Sequence, residues 1–357
     1  MKTRREFLSN LALLSAATIL PFQLKAKSLA DKPSLIMDAM GEIRIDYPME
    51  LIDQILASGT NSVTITLTDP KILGHDGFHL LLDDIAQHDK YFNSHPEKFI
   101  KALSVNDLER ARKEKKLAIY YLIQNSSPIE SYPDRVDHLY QLGLRSVQIT
   151  YNHQNLAGSG CMERRDSGLS KWGLELIDKL NSRRMLIDLS HAGMKTMSES
   201  IEASKTPVII SHSCCQGLYN HPRNTTDENL NLLASRGGVI GITQMRVFMT
   251  TEKKNNLAVY FDHIDHAVKV AGIDHVCIGS DRDHRVIPDT EEEVKQLIKE
   301  EGPNFKPEDW PLYLEKLNGP KRMEVIWDGL AKKGFTQSQI DKIMGQNLLR
   351  VYKDVIG

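Results

Sequence analysis

Between Met185 and Thr243 the chain reads MLIDLSHAGMKTMSESIEASKTPVIISHSCCQGLYNHPRNTTDENLNLLASRGGVIGIT, with short apolar runs separated by helix-forming stretches. Such runs predict buried parallel strands, and the 3.6-residue periodicity between them predicts the covering helices. Two of the strands, MLIDLSH and TPVIISH, end in Ser-His, at His191 and His212. Parallel strands with helical crossovers present their carboxyl ends on one face, so two imidazoles in register arrive side by side. Unrelated strand-capping histidines are the simpler alternative. The repeat itself, followed by the loop Asn220-His221-Pro222-Arg223-Asn224, favours a site that can take a metal.

The same alternation extends along the rest of the chain. Candidate strands fall at 34–40, 61–67, 117–123, 145–150, 185–190, 207–211, 238–243 and 275–280. Helical patterns lie between them at 106–116, 134–141, 171–181, 195–204, 227–235 and 262–270. Eight strands with intervening helices predict an α/β fold of the (β/α)8 TIM-barrel type. A doubly wound open sheet is the runner-up, but no GxGxxG or GxxxxGK[ST] loop follows a strand, which argues against its nucleotide-binding versions. The expected organisation is one barrel over residues 33–357, with peripheral inserts near 71–100 and 287–320.

Composition narrows the partner. A formal net charge of −2, with Lys and Arg interspersed among Asp and Glu, gives no basic footprint for nucleic acid. A small-molecule substrate is expected, and a homodimer is allowed. At the amino terminus, Thr3-Arg4-Arg5-Glu6-Phe7-Leu8 precedes an apolar run from Leu11 to Leu20, then Pro21 and Ala26. This resembles a twin-arginine export signal over residues 1–27, which implies a periplasmic destination; an uncleaved amino-terminal anchor is the alternative. The run is short for a bilayer span. The cysteines Cys161, Cys214, Cys215 and Cys277 are expected to be free thiols, because adjacent cysteines pair only under strain.

On a barrel, the residues just beyond each strand face one another. They are Asp38, Met40 and Glu42 after the first strand, Gln124 and Asn125 after the third, and Tyr151 and Asn152 after the fourth. His191 and His212 follow the fifth and sixth, and Asp281 and Asp283 the eighth. Imidazole and carboxylate donors in this mixture suit Zn2+ with a position left open for water. His75 and His79 share a helix face at i and i+4, for which a solvated role is the simpler assignment.

The strings IDLSHAG, PVIISHS, HPRNTTDENL, GGVIGI, HVCIGSDRDH and GQNLLRVY, with LGLRSVQITYN, resemble the membrane (renal-type) dipeptidases, peptidase family M19, a branch of the metal-dependent amidohydrolase-like barrels. The resemblance runs from about Leu117 to the end of the chain, in order and spacing. It implies a zinc dipeptidase ancestry. It assigns His191 and His212 to one zinc, and Asp281 to the other zinc and to proton transfer. Arg223 matches the arginine that pairs with the dipeptide carboxylate, with Asn152 a further substrate contact, and Tyr151 stands where many members carry a transition-state histidine.

The chain departs from that family at the other metal. Where members carry Asp-x-His-x-Asp on the first strand, this chain has Asp38-Ala39-Met40-Gly41-Glu42, and the position of the bridging carboxylate is Gln124. A thioether is a poor zinc ligand, and a neutral amide offers no charge to offset the repulsion of two cations. One zinc at His191 and His212 is therefore expected, with Asp281, Gln124 and Glu42 as further oxygen donors and the second site weakened or lost. Three functions follow: a zinc-dependent dipeptidase-like hydrolase, a related hydrolase or lyase acting on another small amide or ester, or a non-catalytic binding homologue.

Overall fold

The alternation of apolar runs closes into a barrel. The computed structural model describes residues 30–254, 256–301 and 306–357, so the expected export segment at 1–27 lies outside the described residues. The strands are β1 (Met37–Gly41), β2 (Ser62–Thr66), β3 (Phe99–Lys101), β4 (Leu117–Ile123), β5 (Leu144–Gln148), β6 (Leu186–Asp188), β7 (Ile209–Ser213), β8 (Val239–Ile242) and β9 (Val276–Ile278). They pair in the order β1-β2-β4-β5-β6-β7-β8-β9, all parallel, while β3 pairs with β4 off this path. The seam between β9 and β1 is bridged just past the strand ends. There the Ser280 amide donates to Asp38 Oδ1 at 2.7 Å and the Asp281 amide to the Met40 carbonyl at 2.8 Å. The result is the expected (β/α)8 arrangement, nearly closed. The eight expected strands are present within a few residues, whereas β3, only FIK long, carries too little pattern to be read from sequence.

Alternate strand residues serve two cores. Ile119, Ile187, Ile210 and Ile240 belong to the larger apolar cluster that includes the surrounding helices. Their neighbours Ala118, Leu186, Ile209 and Val239 join a second cluster with Leu348, Val351 and Tyr352 of the helix Asn347–Val355. This two-residue alternation is the strand period, and it seats the last helix against the amino-terminal ends of the strands. Tyr352 OH and Thr64 Oγ1, 2.6 Å apart, fasten it there. The opposite, carboxyl-terminal rim is left for the site.

Local signals start the helices around the site. Ser170 Oγ accepts from the Gly173 amide at 2.9 Å ahead of the helix Lys171–Ser182, and Thr226 Oγ1 from the Asn229 amide at 3.2 Å ahead of Asp227–Ser235. Caps of this kind contribute about 1 kcal/mol each. Glycine is required where β8 and β9 approach β7. A Cβ at Gly241 would sit 2.1 Å from the Ser211 carbonyl oxygen, and one at Gly279 only 1.7 Å away. Those two glycines set how closely the strand carrying His212 is held. Among the described residues no helix is long and apolar enough to cross a membrane.

Candidate active site

Three residues at the carboxyl ends of strands hold a left-handed backbone although none is glycine: Asn152 (φ 54°), His191 (φ 63°) and Asp281 (φ 55°). Such conformations cost roughly 1–3 kcal/mol each and persist where surrounding structure enforces them, which marks this rim as a functional candidate. All three line one cavity of about 660 Å³, together with Met40, Glu42, Gln124, Tyr151 and Arg223.

His212 lies directly behind His191, fully enclosed, and the two Nε2 atoms are 3.0 Å apart. The far nitrogen of each ring is also engaged. His191 Nδ1 lies 2.6 Å from Asn152 Oδ1, and His212 Nδ1 lies 2.7 Å from Ser211 Oγ. Burial, reinforced by the Arg223 cation, keeps both imidazoles neutral, holding His191 well below its usual value and His212 down at about 3. Two neutral imidazole nitrogens are donors of the kind a divalent transition metal takes, which needs at least one further protein ligand beside them. Tyr151 stacks on His191 with ring centroids 4.2 Å apart.

Arg223 is almost enclosed, at 3% exposure, and its Nη2 donates to the His212 carbonyl at 3.1 Å. Its Nε finds no partner, and its guanidinium carbon stands 5.2 Å from the Phe248 ring centre. A buried guanidinium with donors to spare is a receptor for an anion, above all a carboxylate. Asp281 lines the same cavity, where burial raises its carboxyl above the usual range against the opposing pull of Arg223 and Arg282. Its environment suits it to carry a proton.

The remaining expected oxygen donors are placed less favourably. Glu42 Oε2 is taken by Arg44 Nε at 2.7 Å, and Arg44 in turn reaches Asp283 at 3.3 Å. Gln124 and Met40 reach the cavity as neutral side chains. Among the described residues no group of three or more His, Cys, Asp or Glu side chains gathers around a common point. The histidine pair thus offers two nitrogen donors, and the Met40, Glu42 and Gln124 side does not assemble a carboxylate-rich site. His75 and His79 are exposed, 3.1 Å apart at Nε2, and do not line the cavity.

Two partners were not evident from sequence. Asn152, expected at the substrate, has its side-chain oxygen on His191 Nδ1, and Asp188 lies 2.5 Å from Ser211 Oγ behind His212. The string Asp188-Leu189-Ser190-His191 offered a signal for the second, since Asp188 is a charged residue inside an apolar strand. The expected free thiols are present, with Cys214, Cys215 and Cys277 buried and Cys161 half-buried.

A sequence profile of the family described as membrane dipeptidase (peptidase family M19) matches residues 5–300. The chain is similar to an uncharacterized dipeptidase of Schizosaccharomyces pombe, 32% identical over 248 residues that make up 68% of this chain and 54% of that protein. It is similar also to the dipeptidase verJ of Clonostachys rogersoniana, 30% identical over 235 residues, 65% of this chain and 54% of that protein. The chain thus spans about half the length of these two relatives. Among solved structures, an amidohydrolase from Pseudomonas aeruginosa superposes with a TM-score of 0.78 at 28% identity, covering 90% of this chain and 97% of that one.

Proposed function

The chain belongs to the membrane dipeptidase family, peptidase family M19, and from that membership we propose that it is a metal-dependent hydrolase of dipeptides or similar small amides bearing a terminal carboxylate. The observation that carries this reading is the convergence of His191 and His212, 3.0 Å apart at Nε2, beside a buried arginine with an unpartnered Nε. His191 and His212 would hold one divalent cation, with zinc the best match to two imidazoles, and Asp281 and Gln124 line the same cavity. The chemistry supplied by such a cation is Lewis acidity toward water and a carbonyl oxygen.

The chain's own residues do the rest. Arg223 pairs with the substrate carboxylate, which fixes where the scissile amide lies. Asp281 accepts a proton as water adds to the carbonyl and returns it to the leaving amine nitrogen, a role suited to a carboxyl with raised proton affinity. Tyr151, stacked on His191, presents a phenol to the developing oxyanion. Asn152 steadies His191 from behind.

A second reading has an observation in its favour. Met40 and Gln124 are neutral and Glu42 is held by Arg44, so a binding homologue that grips its ligand through Arg223 without turnover fits the same cavity. The residues 1–27 support an exported, periplasmic protein under either reading. Assay of the purified chain against L,L- and L,D-dipeptides, with and without added zinc, separates the two. Zinc-dependent turnover supports the hydrolase, and tight dipeptide binding without turnover supports the binding homologue.

A further inference from the structure

The histidine pair alone admits two arrangements. His212 can donate Nε2–H to His191, closing the pair with an ordinary hydrogen bond, or both Nε2 atoms can present lone pairs to a cation. On the His191 side the matter is fixed, because Asn152 Oδ1 only accepts; the Nδ1 atom 2.6 Å away must carry the proton and Nε2 is bare. On the His212 side the answer comes from one strand further in.

Asp188 ends β6 with no solvent exposure. Its Oδ1 accepts from the amides of Ser190 at 3.1 Å and Ser211 at 2.9 Å, and its Oδ2 lies 2.5 Å from Ser211 Oγ. A carboxylate cannot donate, so the single Ser211 hydroxyl hydrogen points to Asp188. Ser211 Oγ is then left as an acceptor toward both Ser190 Oγ, 3.2 Å away, and His212 Nδ1, 2.7 Å away. We infer that Asp188, acting through Ser211, locks His212 as the Nδ1–H tautomer and so turns the His191–His212 pair from a hydrogen bond into a cation site. Asp188 is a positioning residue here: it touches neither cation nor substrate. Residues that orient metal-binding imidazoles in this way typically change metal affinity 10–100-fold when replaced.

The inference rests on the proposed reading of the pair, and its test separates the two. Asp188→Asn keeps the shape but gives the side chain an N–H to offer Ser211. The hydroxyl then turns to His212 Nδ1, and Nε2 takes the proton. Titration of the full-length chain with Co2+, read by its visible absorption and by competition with a chelator, is expected to show affinity for Asp188→Asn weakened by roughly 10–100-fold. Ser200→Ala is the control, because Ser200 Oγ is a buried hydroxyl that donates to the Thr196 carbonyl at 2.7 Å and touches neither ring nor Ser211. Its cobalt affinity and spectrum are expected to match the parent. Equal affinity in Asp188→Asn, or equal loss in Ser200→Ala, overturns the inference. Nitrogen-15 spectra of the metal-free parent judge it independently of any variant's folding: a protonated Nδ1 and bare Nε2 on His212 support it, and a protonated Nε2 overturns it. A parent that takes up no cobalt while His212 shows Nδ1–H overturns the metal reading and leaves the tautomer lock standing.

Discussion

Arg223 Nη2 donates to the backbone carbonyl of His212 at 3.1 Å, tying the guanidinium to the strand end that also carries the inner imidazole. The proposed carboxylate receptor and the histidine pair are thus built on one piece of backbone. Movement of β7 would disturb both together.

Because the guanidinium keeps donors for a carboxylate, Arg223→Lys replaces a two-pronged contact by a point charge. Loss of one charge-assisted hydrogen bond, about 1.5–3 kcal/mol, corresponds to a rise in KM of roughly 10–150-fold. Steady-state kinetics on a dipeptide and on its carboxamide check this. The variant is expected to lose its preference for the free carboxylate while kcat changes little.

Gly279→Ala is expected to destabilise the fold and the site at once. The new methyl would meet the Ser211 carbonyl oxygen at 1.7 Å, so β7 or β9 must shift. Overpacking of this kind costs typically 1–3 kcal/mol. Urea denaturation is expected to show that loss, and cobalt binding at His212 to weaken with it. Gly334→Ala, at a glycine with nothing within 4 Å of its Cβ position, is the control for the missing contact, although its positive φ carries a cost of its own.

Asp38 makes the stability depend on pH. Its carboxyl is raised from an ordinary 3.8 to about 6, first by burial and against the hydrogen bonds from Ser280. A raised value means that the folded state favours the protonated form. The contribution is therefore fully present below about pH 4 and is lost as pH rises through 6, about 3 kcal/mol in all. Denaturant melts at pH 4 and pH 7 are expected to show Asp38→Asn gaining relative to the parent as pH rises. A constant difference between the two proteins would remove Asp38 as the cause.

The altered side of the cavity predicts a gain. With Met40→His, Glu42→Asp and Gln124→Glu together, imidazole and carboxylates replace a thioether, an arginine-held glutamate and a neutral amide. Metal analysis of the triple variant is expected to find a second cation that the parent lacks. Dipeptidase activity is expected to rise with it.

The barrel was legible in the sequence because eight apolar runs each end in polar residues, and parallel topology sends those ends to one face. His191, His212 and Arg223 came with them, since strand end and loop sit next to each other in the chain. The partners did not. Asn152 reaches His191 across 39 positions, and the Glu42–Arg44–Asp283 chain joins the two ends of the barrel wall. Such pairings depend on where loops fold back, which periodicity does not encode. The helix Leu257–Ala271 begins five residues before the expected start at 262, because the burial of Tyr260 and Phe261 extends it beyond the clearest part of the pattern.

Under the proposed function His191 and His212 hold one divalent cation. Metal content of the purified chain, compared with His191→Ala and His212→Ala, tests it most directly. One tightly held zinc per chain, absent from both variants, is the predicted result. Two tightly held zincs per chain, or zinc retained in both variants, would contradict it.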